Sequence, residues 1–349
     1  HPRHGPGATA EKLAGNSKFL STKWHDRLEP YFPLLHYRFP NENAYGSAEF
    51  EEVTIVSKDE EQPVRVIPVP KTLKAPRIIA IEPVCMQYAQ QTIASVLIRA
   101  LERSWIAGGH LNFKDQSINQ NLAMTASSTG RYATLDLSSA SDRVINSIAN
   151  CMFDSNPDLQ GAIQACRSTR AQLPDGSIVE LSKFASMGSA LCFPVEAMYF
   201  YTICIAARLR KHKLPITPLN CFKLSRDVYV YGDDIIVPVD DAEAVIEDLH
   251  KYRCKVNVRK SFWTGKFRES CGTDAYDGES VTPTYVRQLH PNNRREAKRL
   301  IGWVSTANQF YKRGYWLTSD YMFSRVEAIL GKLPIVGPHC SGLGKVSRS

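Results

Sequence analysis

The stretch "RDVYVYGDDIIVPVDD", Arg226–Asp241, places two adjacent carboxylates between two runs of apolar, β-favouring residues. The runs read as paired strands over Val228–Tyr231 and Ile235–Val239, with Gly232-Asp233-Asp234 as the tight turn of a hairpin. Like charges side by side repel when bare. Two settings tolerate them: a solvated turn, for which Asp and Gly are ordinary residues, or hard cations that take oxygen ligands and neutralise them. Gly-Asp-Asp alone does not choose, and the second setting requires a third carboxylate from elsewhere in the chain.

Asp136 in "YATLDLSSASD" is the best candidate, because it ends another apolar strand that begins at Tyr132. Pairing that strand beside the hairpin brings Asp136, Asp233 and Asp234 together, and such a trio suits two divalent cations that serve an in-line phosphoryl displacement. The alternative for Asp136 alone is a cap or turn aspartate. Asp142 follows after a Ser138-Ser139-Ala140-Ser141 turn; it either caps the next helix or, with a nucleotide bound at Asp136, meets its sugar. "FASMGSALCFPVE" gives a small-residue loop before a helix, where Ser186, Gly188 and Ser189 can approach a ribose or a template backbone closely. In the same way Gly232 lets the hairpin turn come close to a ligand. The loop "VPKTLKAPR" offers Lys71, Lys74 and Arg77 to a triphosphate, and Lys260 in "VRKSFWTGKFRES" is placed to protonate or neutralise a pyrophosphate leaving group. Solvated basic residues are the plain alternative for all four.

Outward from these motifs, "VRVIPVPKTLKAPRIIAIEP" predicts two strands around the basic loop, and Val84–Trp105 has helical apolar spacing. A helix is expected around Asp142–Phe153, another over Pro194–His212 and another over Ala242–Tyr252; a strand, a basic loop and a strand are expected in "RCKVNVRKSFWTGKFRESCG", and helices in the last sixty residues. Strand, helix, hairpin, helix, strand is the order of an α+β layer, an antiparallel sheet backed by helices. The 349 residues are 43% hydrophobic and carry 43 Lys+Arg against 35 Asp+Glu, a net +8 that favours an anionic partner. Nine scattered cysteines without a C-x-x-C pair indicate neither a disulfide framework nor a zinc site, and suit a reducing compartment. The most membrane-like segment, Ser189–Leu209, is interrupted by Pro194 and Glu196 and runs into "RLRKHK", which reads as a buried helix rather than a span. The chain opens on His1 with no methionine, signal peptide or presequence, as an incomplete or processed product would.

In order, "VPKTLKAPRIIAIEP", "TLDLSSASD", "SMG" entering a helix, "YGDDIIVP" and "FRESCG" resemble the successive signature motifs of viral RNA-dependent RNA polymerases, and more narrowly those of the levivirus replicase catalytic subunit of the Q-beta type. "DQSINQNLA", "LPDGSIVELSKFASMG" and "VTPTYVR" extend the resemblance over roughly residues 63 to 287. It implies a right-hand polymerase fold: fingers over 1–130 with the basic loop at 69–79, palm over 131–290 with a fingers insertion near 155–186, and a reduced thumb over 291–349. It implies RNA-directed RNA synthesis from NTPs, with Asp136, Asp233 and Asp234 holding two Mg²⁺ ions, for which Mn²⁺ can substitute. Asp142, Ser186 and Ser189 would monitor the ribose 2′-OH, Lys71, Lys74 and Arg77 would hold the triphosphate, and Arg268–Gly272 would support the growing 3′ end. The implied partners are template and product RNA, NTPs, elongation factors Tu and Ts and a ribosomal protein, in the cytoplasm of an infected bacterium. Two departures stand out: Ser189 occupies a position where the family usually has Asn, and the chain is shorter than typical members at both ends. The rival readings are a reverse transcriptase, against which Gly232, Asp142 and the serine-rich pocket argue, and a non-catalytic RNA-binding remnant of a polymerase.

Overall fold

The computed structural model describes residues 3–70, 76–337, 340 and 342–346. They form two compact units, the first built from the chain up to Val69 together with Ile78–Val281, the second from Pro70–Arg77 and Thr282–Ser349.

In the first unit the hairpin forms as its sequence predicts, with strands Tyr229–Tyr231 and Asp234–Pro238 paired antiparallel and Tyr231 opposite Asp234. Gly232 and Asp233 are therefore the two loop residues, and Gly232 has a φ of +61°, which suits the first position of a two-residue hairpin loop. Asp234–Pro238 is the central strand, flanked on its other side by Tyr132–Leu135, antiparallel, with Leu135 opposite Ile235. One further step along this register sets Asp136 across from Asp234. Ile235, Ile236 and Val237 are fully buried, as is Ala133, because a central strand of a covered sheet buries both faces.

Helix Cys192–Lys211 crosses this core. Val195, Ala197, Phe200, Cys204 and Ala207 are fully buried, and a helix that is apolar on nearly every face belongs in an interior. It is long and apolar enough to cross a membrane, yet 72% of its apolar window is buried inside the protein, which is the core helix the sequence predicted. Arg208, Arg210 and Lys211 in its last turn suit the negative end of the helix dipole. Helix Ala242–Lys251 packs beside it, and Ser117–Thr129 covers Tyr132–Leu135.

A second sheet runs in the order Pro76–Ile81, Val64–Pro70, Arg170–Gln172, Ile178–Glu180. A third is the antiparallel meander Phe267–Ser270, Thr273–Tyr276, Glu279–Ser280. Two expectations change and one element is added. The segment before Phe262 makes isolated bridges, Leu137 with Val256 and Thr134 with Phe262, in place of a strand. The helix expected from Asp142 is split into a short turn Ser141–Arg143 and a helix Asn146–Cys151. Helix Ser117–Thr129 was not anticipated. In the second unit Ala297–Lys312 and Trp316–Leu330 pack through Leu300, Trp303, Val304, Ala307, Met322, Phe323 and Val326.

Candidate active site

Asp136 leaves the end of its strand with its backbone fully engaged. Its N–H donates to Ser261 Oγ at 3.0 Å and its carbonyl accepts from Asn257 N at 2.8 Å. Its carboxylate accepts from Asn257 Nδ2 at 2.8 Å. Asp234 accepts from the Cys271 N–H at 3.1 Å and from Ser270 Oγ at 3.3 Å, so the Phe267–Ser270 strand and its turn hold this side chain from below. Asp233, on the loop, is exposed.

The electrostatics record the crowding. Burial raises the Asp136 carboxyl above its ordinary range; Asn257 and Lys260 oppose the rise, and Asp233 adds to it. Asp234 is pushed up to about 6 by burial, with Asp233 and Asp136 adding to the shift against the Cys271 N–H. Carboxyls that burial and like charge both disfavour when ionised accommodate a cation readily. Among the described residues, however, no three His, Cys, Asp or Glu side chains converge tightly enough to form a ready-made cation cage. Asp136 and Asp234 are each turned onto hydrogen-bond partners of their own. The donor set is all oxygen, which fits a hard divalent ion; the trio has the chemistry for it, at the ends of adjacent strands.

Lys260 Nζ lies 3.4 Å from Glu269 Oε1. Partial burial opposes its charge, but Glu269, Asp136 and Asp234 together raise its pKa. A raised pKa makes it a poorer proton donor and a firmer positive charge.

Asp142 is half exposed and paired with Lys183, Nζ to Oδ1 at 2.5 Å. Ser186 is buried, its carbonyl accepting from Ser189 N at 2.9 Å. Ser189 Oγ donates to Gln90 Oε1 at 3.0 Å, so its hydroxyl proton is spent on the helix Val84–Arg103. At the two glycines read as letting the chain approach a substrate closely, the space a Cβ would take is occupied by protein. A Cβ on Gly188, whose φ is +137°, would stand 2.0 Å from the Ala80 carbonyl oxygen, and one on Gly232 would stand 2.5 Å from Phe193 Cε2. Arg268, expected near a growing 3′ end, is 1% exposed; its guanidinium donates to the carbonyls of Tyr132, Thr264, Gly265 and Phe267. Arg77 is exposed in the second unit, and Lys71 and Lys74 lie outside the described residues.

Further contributors were missed. Asn119 Nδ2 reaches the Asp234 carbonyl at 3.4 Å and Gln120 Nε2 the Cys271 carbonyl at 3.0 Å, so the unanticipated helix braces the turn that holds Asp234. Glu196, on the core helix, is pushed up to about 8 by burial, with Asp233 the next cause and Asp142 a further one; Cys192 Sγ donates to it at 3.7 Å. Its place two residues past Pro194 in an apolar run was the available signal.

Residues 43–295 match the family model for the RNA replicase β-chain. The chain is 38% identical over 223 residues, 64% of its length, to the RNA-directed RNA polymerase subunit beta of Escherichia virus Qbeta. It is 36% identical over 258 residues, 73% of its length, to the corresponding subunit of Qbeta virus strain MX1, and 34% identical over 223 residues to the RNA-directed RNA polymerase beta chain of Escherichia phage MS2. It spans 35%, 39% and 37% of the lengths of these relatives. Among solved structures it is similar in fold to the RNA-dependent RNA polymerase of bacteriophage phi12, with a TM-score of 0.51 at 12% identity over 73% of this chain and 45% of that one. A structure described as an RdRp complex gives 0.53 at 9% identity, covering 79% of this chain and 27% of the other. The chain belongs to the RNA replicase β-chain family.

Proposed function

We propose that this member of the RNA replicase β-chain family is the catalytic part of an RNA-directed RNA polymerase, extending RNA on an RNA template from NTPs with release of pyrophosphate. The observation that carries the reading is the antiparallel pairing of Leu135 with Ile235 and of Tyr231 with Asp234, which brings Asp136, one residue past its strand, to the same sheet end as Asp234 and the exposed Asp233. In this reading residues 1–130 are the fingers, 131–290 the palm with a fingers insertion near 155–186, and 291–349 a shortened thumb of a right-hand fold. Template and product RNA and NTPs are its partners, with the host elongation factors Tu and Ts and a ribosomal protein, in the cytoplasm of an infected bacterium.

Asp136, Asp233 and Asp234 would hold divalent cations, two Mg²⁺ with Mn²⁺ as a substitute, which when bound favour the attacking hydroxyl in its ionised form and offset charge on the leaving oxygen. The chain's own residues do the rest. Asn257, Ser270 and the Cys271 N–H fix the directions of two carboxylates before substrate arrives, and such pre-set geometry lowers the reorganisation needed in the reaction. Lys260, kept positive by its acidic neighbours, neutralises pyrophosphate charge in place of protonating it. Asp142 and Ser186 face the sugar, and Lys71, Lys74 and Arg77 serve the triphosphate.

Template-dependent NTP incorporation with Mg²⁺, compared between the wild type and Asp233→Ala, tests this. Exposed Asp233 makes few packing contacts, so the variant should fold while losing about 10²-fold or more of its rate. Equal rates would refute the site. Preference for dNTPs would turn the reading to a reverse transcriptase, and salt-sensitive RNA binding without incorporation to a non-catalytic remnant.

A further inference from the structure

The Asp142–Lys183 ion pair is built from both sides. Asp142 stands in the turn Ser141–Arg143, with its N–H donating to Ser139 O at 3.1 Å and Ser139 at a φ of +52°. Lys183 forms an antiparallel bridge with Ile145, flanked by Asn146 N to Ser182 O at 3.1 Å and Phe184 N to Val144 O at 2.7 Å. The Arg167 guanidinium donates to the Lys183 carbonyl at 3.3 Å. The two backbones therefore run as a short ladder that carries the ammonium to Asp142 Oδ1 and leaves Asp142 57% exposed. Ser189, by contrast, is committed: its hydroxyl donates to Gln90 Oε1, its oxygen accepts from Leu191 N at 3.3 Å, and Gln90 Oε1 also takes Ala190 N at 3.1 Å. Gln90 is 1% exposed and its Nε2 donates to Cys166 O at 2.8 Å, so this anchor has no slack.

Resting on the polymerase reading, we propose that Lys183 is the positioning residue for ribose selection, holding one oxygen of Asp142 so that the other accepts from the 2′-hydroxyl of an incoming nucleotide, while Ser189 serves only to anchor its loop to Gln90. An exposed carboxylate free to turn loses rotational entropy on engaging a ligand; one already fixed by an ammonium has lost it beforehand. A site arranged to pair a substrate hydroxyl disfavours the analogue that lacks it, because its own polar group is left unpaired.

Initial rates with ATP and dATP on a cognate RNA template test this for the wild type, Lys183→Met, Lys183→Arg and Ser189→Ala. Lys183→Met should raise the KM for ATP about tenfold and leave that for dATP within about twofold, so preference for the ribonucleotide falls about tenfold. Lys183→Arg should keep most of the preference, and Ser189→Ala should move both substrates together. The dATP rate is the folding control, since a damaged protein loses both. An unchanged preference in Lys183→Met, an equal loss for both nucleotides, or a fall in Ser189→Ala as large as in Lys183→Met would overturn the inference. Equilibrium binding of ATP and dATP reads the same difference without turnover, so an inactive wild type would refute the polymerase reading and leave this one judged by the binding data.

Discussion

Gly232→Ala separates two accounts of the glycine before the aspartate pair. If glycine is there to admit RNA, alanine harms activity and spares stability; if it is there because Phe193 occupies the space, alanine harms the fold. The added Cβ would lie 2.5 Å from Phe193 Cε2 and 3.2 Å from Cδ2. That ring is pinned edge-on between Phe113 at 6.0 Å and Tyr231 at 5.2 Å, so it cannot swing away freely. A left-handed φ costs a non-glycine residue about 1–2 kcal/mol, and overpacking a fixed ring costs about 1–3 kcal/mol. Together they predict a loss of about 2–5 kcal/mol, a large part of the stability of an ordinary domain. Urea unfolding of the wild type, Gly232→Ala, Phe193→Leu and the double variant measures it, because leucine lacks the ring atoms that clash. The backbone part should persist in the leucine background and the contact part should vanish, leaving a coupling of about 1–3 kcal/mol. Strict additivity, or a Gly232→Ala protein as stable as the wild type, would refute the packing argument.

Glu82 is 2% exposed, accepts from Ser168 Oγ at 2.5 Å, and is pushed up to about 7 by burial, with Ser168 and Gln90 opposing the shift. The unfolded chain releases this proton near 4.5 and the folded chain near 7, so the folded state holds more protons between those values. Stability should fall by about 3 kcal/mol as pH rises across that window, and Glu82→Gln should flatten the slope in urea midpoints taken from pH 4.5 to 7.5; an unaltered slope would place the titration elsewhere. Arg268→Met should cost about 3–5 kcal/mol by stranding four carbonyl acceptors, and Arg268→Lys should recover only part of that, since an ammonium cannot reproduce the planar fork. A loss under about 1 kcal/mol for Arg268→Met in the same urea assay would mean that water takes over those carbonyls.

Much of the frame was legible because it rests on local periodicity. Tyr229–Pro238 is two apolar, β-favouring runs that turn at glycine, and Cys192–Lys211 is too apolar to lie anywhere but inside. Helix Ser117–Thr129 was not legible, since "SINQNLAMTASST" has few apolar residues and buries Asn119 and Ser127 alongside alanines. Its place is fixed by amide hydrogen bonds to the Asp234 and Cys271 carbonyls, which tertiary structure alone supplies. The identities of Asp136, Asp233 and Asp234 stood out in the sequence, but their partners did not: nothing near Asp136 announces Asn257, and Arg268 in a basic segment resembles a surface residue until the four carbonyls around it are seen. At Ser189, Gly188 and Gly232, read as positions where the chain comes close to a ligand, the hydroxyl or the Cβ space meets Gln90, Ala80 and Phe193, contacts that only the folded chain reveals.

These contacts bear on how the carboxylates tolerate one another. Asp136 and Asp234 approach across adjacent strands, and the raised pKa of each is partly the other's or Asp233's doing. Were the surrounding loops loose, the three would relieve this repulsion by moving apart. Instead Gly232 is closed against Phe193, Gly188 against Ala80, and the turn after Ser270 against Asn119 and Gln120. Lysines stand at both margins, Lys260 beside Glu269 and Lys183 beside Asp142; Lys260 offsets part of the burial cost at Asp136, yet burial still holds Asp136 and Asp234 above the ordinary carboxylate range. On the polymerase reading, carboxylates held in place with incomplete compensation would favour added positive charge, which is what cation-dependent nucleotidyl transfer would require of them.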